Sequence, residues 1–90
     1  MLEFNYSNNG YDYKIKYCET YISFYVINDK KIYYSKIVEI NEKKLIDKYN
    51  FMKNSFNYKD GHTYNLFENN NEMYIMFFND RINGFKVKFE

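Results

Sequence analysis

The sequence predicts an α+β protein: an antiparallel β-sheet of about seven strands, twisted or split into a small sandwich, with one helix inserted after the fourth strand. Three observations predict it. Several short runs alternate apolar and polar residues with the period of two expected of strands. A single stretch repeats apolar residues at the helical period, in Leu45, Tyr49, Met52 and Phe56. The connections between these segments are short and rich in Asn, Asp and Gly, which favours antiparallel neighbours.

The first strand is expected over Leu2–Tyr6, with Leu2, Phe4 and Tyr6 on one face. Asn8-Asn9-Gly10 tolerates positive φ and suits a hairpin turn. Tyr11, Tyr13, Ile15 and Tyr17 then alternate with Asp12, Lys14, Lys16 and Cys18, a strand with one buried face. Tyr21–Ile27 is apolar on both parities, the pattern of a strand covered on both sides. Asn28-Asp29-Lys30-Lys31 turns the chain into a fourth strand over Ile32–Ile40.

Asn41 stands at the N-cap position, where its side-chain oxygen accepts from a free amide of the first turn, and Glu42 follows at the positive end of the helix dipole. The helix is expected from Glu42 to about Phe56, with Lys43, Lys44, Asp47, Lys48 and Lys53 largely off the apolar stripe. After Lys59-Asp60-Gly61-His62, strand character resumes over Thr63–Phe67. The turn Asn69-Asn70-Asn71 leads to Met73–Phe78, again apolar on both parities. A last turn over Asn79–Gly84 precedes Phe85, Val87 and Phe89, alternating with Lys86, Lys88 and Glu90.

With 90 residues, the chain is expected to form a single domain, residues 1–90. Its one cysteine, Cys18, has no partner for an internal disulfide, so packing must hold the fold, and a reducing, cytoplasmic setting is expected. No segment approaches the roughly 18 apolar residues that span a bilayer, and the N-terminus lacks a basic run followed by an apolar one. Neither secretion nor membrane insertion is expected. The abundant Asn, Lys, Ile, Tyr and Phe have AT-rich codons, so part of the aromatic content reflects a low-GC genome, cellular or viral.

No constellation points to catalysis. His62, the only histidine, falls in a Gly-containing turn and is expected to be a solvated loop residue without a nucleophile or carboxylate beside it. Cys18 and His62 are two ligands short of a structural zinc site. Glu68 and Glu72 bracket the Asn69-Asn70-Asn71 turn and could face each other across it, as solvated hairpin residues. Gly10, Gly61 and Gly84 are isolated in turns and form no phosphate loop. Catalytic residues, metal ligands and a cofactor are therefore not expected.

Nucleic acid is not expected as a partner either. Net charge is +1, and alternation puts Tyr11, Tyr13 and Tyr17 opposite Lys14 and Lys16 rather than beside them. The apolar surplus instead points to an interface. Two strands read as covered on both faces, and one helix covers only one. A second sheet, another copy of the chain or a protein partner must close the remainder. Tyrosine, with a large apolar body and a polar tip, suits such a face. The candidate binding residues are Tyr11, Tyr13, Tyr17, Tyr21, Tyr25 and Tyr33, and an edge strand, Leu2–Tyr6 or Tyr11–Tyr17, could pair with a partner strand.

From Tyr34 onward the layout carries a further pattern: Ile37-Val38-Glu39-Ile40, the stripe from Leu45 to Phe56, Tyr58-Lys59-Asp60-Gly61, Glu72-Met73-Tyr74-Ile75, Asn83-Gly84 and Phe85-Lys86-Val87-Lys88. In these features the chain resembles an uncharacterised family of small bacterial proteins similar to the WapI-type immunity proteins that accompany polymorphic toxins. Tyr58 lies near the place, by the helix end, where that pattern has a Trp. The resemblance implies a non-enzymatic immunity or inhibitor protein that occludes a partner's surface. The homodimer and a small-ligand-binding domain are the other classes that the residues leave open. The near-neutral charge argues against a strongly basic partner, whose inhibitors are usually acidic.

Overall fold

The computed structural model describes residues 1–29 and 31–89. Lys30, in the expected fourth-strand turn, and Glu90, in the expected terminal alternation, lie outside the described residues. The architecture is α+β. Strands β1 (Leu2–Asn8), β2 (Tyr11–Tyr17), β3 (Ile22–Asn28) and β4 (Lys31–Ile37) precede helix α1 (Glu42–Phe56), and β5 (His62–Asn69), β6 (Glu72–Asn79) and β7 (Phe85–Lys88) follow it. All pairings are antiparallel, in a four-stranded sheet of order β1-β2-β3-β4 and a three-stranded sheet of order β5-β6-β7. The chain divides into two compact units, residues 1–49 and 50–89.

In the first unit, strand alternation directs one set of side chains into a core. Across the four strands this face carries the rows Leu2–Tyr17–Ile22–Ile37 and Phe4–Ile15–Phe24–Ser35. Ile15, Ile22, Phe24 and Val26 are fully enclosed. Tight hairpins set this register. Asn9 (φ 52°) and Gly10 (φ 82°) occupy the two left-handed positions of the first turn, as the Asn-Gly pair predicts. The second turn closes through the Cys18 amide donating to the Tyr21 carbonyl at 2.9 Å, with Glu19 at φ 67°. The first helical turn is capped by the Asn41 Oδ1, which accepts from the Lys44 amide at 2.8 Å. Leu45 and Tyr49 from this half of α1 are buried, Tyr49 against Tyr17 at 5.8 Å between ring centroids.

In the second unit, Met52 and Phe56 continue the buried stripe. Phe56 packs edge-on against Phe77 (5.4 Å) and beside Tyr64 (4.8 Å), while Phe51 meets Phe85 at 5.6 Å. The helix ends in a Schellman motif. The Lys59 amide donates to the Asn54 carbonyl at 3.0 Å and the Tyr58 amide to the Ser55 carbonyl at 3.2 Å, with Tyr58 rather than glycine at φ 52°. Asn70 (φ 41°) and Asn71 (φ 75°) form the β5–β6 turn. Gly84 is required sterically: a Cβ there would lie 1.8 Å from the Phe77 carbonyl oxygen.

Four expectations are corrected. Tyr21–Ile27 and Met73–Phe78 are not covered on both sides. In Tyr21–Ile27 and in β6 one parity is enclosed; on the other, Ser23 is buried, Tyr21, Tyr25, Ile27, Tyr74 and Phe78 are half-buried, and Met76 is exposed. Tyrosine reads as apolar in a pattern yet is stable at a half-wet surface, which inflates the apparent need for cover. β2 lies inside its sheet, so only β1 of the two proposed edges is an edge, and β4 is the other. His62 opens β5 half-buried, with its ring 4.7 Å from that of Phe51 and its Nδ1 2.7 Å from the Lys59 carbonyl oxygen. Glu68 pairs with Met73 and Glu72 with Asn69, which puts the two carboxylates on opposite faces.

Candidate functional site

The face of the four-stranded sheet opposite its core gathers the features of a binding surface. Register places Lys16, Ser23 and Lys36 in one row, Lys14, Tyr25 and Tyr34 in the next, and Asp12, Ile27 and Ile32 in the third. Lysines of β2, which alternate away from the tyrosines of their own strand, thus lie beside tyrosines of β3 and β4. The Tyr25 and Tyr34 rings are 5.0 Å apart and tilted by 46°. The Tyr34 hydroxyl is 3.3 Å from the Ser23 hydroxyl. The Lys36 ammonium sits 4.8 Å from the Tyr21 ring centroid, so Tyr21 shares this face. At the β4 edge Ile32 is 70% exposed.

Charge on this face is unevenly compensated. Lys16 lies 3.9 Å from Glu3 on β1, and Asp12 accepts from the Ser7 hydroxyl. Among the described residues, neither Lys14 nor Lys36 has a carboxylate partner. The Tyr21 phenol is held above its ordinary pKa, first by a side-chain hydrogen bond with Cys18 and then by its charge, by burial and by Tyr34 and Tyr25.

The predicted tyrosines separate into two groups. Tyr21 and Tyr25 lie on this surface. Tyr13 and Tyr17 are core residues, 3% and 7% exposed, and Tyr11 and Tyr33 are half-buried on the core-side rows. Burial, followed by the nearby Glu42 and Glu19 charges, raises the Tyr17 phenol pKa, which is consistent with its structural role. Sequence reasoning missed Tyr34, Lys14, Lys36, Ile27 and Ile32. They are brought together by cross-strand register, which alternation within a single strand does not carry.

An open cleft of about 320 Å³ lies beside the start of α1, lined by Glu19, Thr20, Glu39, Ile40, Asn41, Glu42 and Leu45. Glu39 is engaged by Lys48, whose hydrogen bond and charge hold its carboxyl below the usual range. Among the described residues, no three His, Cys, Asp or Glu side chains are grouped to hold a metal, and no buried side-chain N or O atom lacks a hydrogen-bond partner. Among the described residues no helix is long and apolar enough to cross a membrane. No known protein family, curated protein or solved structure matches the chain.

Proposed function

We propose that this chain is a non-enzymatic, cytoplasmic protein-binding module, an immunity or inhibitor protein that acts by occluding the surface of a toxin or defence factor. The observation that carries the proposal is the tyrosine–isoleucine surface of the four-stranded sheet, formed by Tyr21, Tyr25, Ile27, Ile32 and Tyr34. Large, stiff aromatic side chains on a regular sheet lose little conformational freedom on binding, and such residues dominate the energetics of protein interfaces. The sequence resemblance to immunity proteins favours the same reading.

Co-purification of the wild-type chain from its native host under gentle conditions is expected to recover a stoichiometric partner. Replacing Tyr25 and Tyr34 together by Ser should weaken retention on the order of thirty-fold, the effect of losing a hot spot of about 2 kcal/mol, with the far-UV circular dichroism unchanged. Recovery of free monomer alone counts against the proposal, as does a partner retained equally by the double variant. Concentration-dependent dimerisation lost in that variant would assign the same surface to a second copy.

A further inference from the structure

Resting on that protein-binding reading, we infer that the partner meets the four-stranded sheet through an acidic surface with an apolar centre. The tyrosines and isoleucines supply the apolar part of the patch. Lys14 is the register neighbour of Tyr25 on one side, and Lys36, one row away, lies over Tyr21. Lys14 thus stands in the row of the Tyr25–Tyr34 pair and Lys36 in the next, and neither has a carboxylate partner among the described residues. Covering the patch with a neutral surface would strip water from these cations without replacing its hydrogen bonds, which is unfavourable. A partner with Asp or Glu at the margin restores them as charge-assisted bonds. Since the whole chain carries only +1, the attraction is local to this face.

Lysines among aromatics also suit single-stranded nucleic acid, but the ring geometry favours protein. Base stacking needs open ring faces. Here the Lys36 ammonium covers one face of Tyr21, Tyr25 and Tyr34 pack against each other at a 46° tilt, and the Tyr34 hydroxyl is tied to Ser23. Ile27 and Ile32 extend the patch with branched aliphatic surface, which interlocks with protein side chains better than with planar bases.

The test uses the full chain as bait for a displayed library of random peptides, with a thymidine oligonucleotide as a second probe. Peptides selected by the wild type are expected to carry Asp or Glu beside aliphatic or aromatic residues. Their affinity should fall about tenfold or more for K14E/K36E and by several-fold on raising salt from about 50 to 300 mM. K14Q/K36Q should show an intermediate loss and guards against a folding defect in the reversed variant. Selected peptides without acidic residues, bound equally by wild type and K14E/K36E but lost with Y25S, overturn the acidic assignment and leave the protein-binding reading standing. Oligonucleotide binding through the same face, with no peptide selected, overturns both.

Discussion

The two sheets use the same alternation but treat their second faces differently. In the four-stranded sheet, the two central strands bring Lys14 beside Tyr25, whose other neighbour is Tyr34 on the edge strand β4, in a patch bordered by Ile27, Ile32 and Lys36. In the three-stranded sheet the corresponding face pairs Phe67 with Tyr74 in a near-parallel stack, 4.9 Å between centroids and 16° between planes, and Lys86 lies 5.0 Å from the Tyr74 centroid. Phe67 and Met76 there are each 36% exposed. Both aromatic pairs thus lie beside lysines that have no carboxylate partner among the described residues, and they differ in ring geometry, stacked in the smaller sheet and tilted in the larger. An aromatic-rich strand is therefore weak evidence for a binding face until its cross-strand neighbours are known.

The largest effects should appear where the two sheets are alike. Phe24 and Phe77 are both fully enclosed, one in each sheet, and replacing either by Ala should cost about 3–5 kcal/mol in denaturant unfolding. A much smaller loss for one would show that its core is looser. Gly84→Ala should come next, at about 3 kcal/mol, because its Cβ would collide with the Phe77 carbonyl oxygen at 1.8 Å and only a shift of backbone can relieve it. Gly10→Ala in the larger sheet is the contrasting case. No atom lies within 4 Å of the new Cβ, so only the left-handed conformation is penalised, by about 1 kcal/mol. The same denaturation series separates steric from conformational need for glycine.

Asn41→Ala should remove about 1 kcal/mol by freeing the Lys44 amide from its cap, with helix content falling at the first turn. The smallest effect concerns acid. Glu39 has its carboxyl pKa lowered chiefly by the hydrogen bond and charge of Lys48. Its contribution to stability is present above the ordinary carboxylate pKa and is lost as pH falls through the lower folded-state value. Lys48→Met should raise the Glu39 pKa toward its ordinary value and flatten that part of the acid limb. Carboxyl-resolved NMR titration reads the shift directly, and an unchanged Glu39 titration would remove the assignment to Lys48.

Several features were legible before any coordinates. Leu45, Tyr49, Met52 and Phe56 were readable as one stripe because helical periodicity is local, and Asn41 as a cap because a single side chain reaches its own first turn. Asn9-Gly10 was readable for the same reason, since two residues define the turn. The candidate face was only partly legible. Tyr21 and Tyr25, which lie on it, were grouped with Tyr13 and Tyr17, which are core, because tyrosine is compatible with both settings. His62 was misplaced in a loop because two of its contacts, the Phe51 ring and the Asn79 side-chain amide, come from elsewhere in the chain.

By itself the sequence determined the order of the strands and the helix and which parity of β2 and β7 turns inward, since alternation and capping act over a few bonded neighbours, but it carried the fourth strand on to Ile40, whereas β4 ends at Ile37. Only the tertiary structure decided that the strands divide into two sheets and that Lys14 lies beside Tyr25, in a row that continues to Tyr34. Period two assigns each side chain a face of its own strand but carries no information about what lies across the ladder. That neighbour is chosen by hydrogen-bond register, a relation between residues distant in the chain.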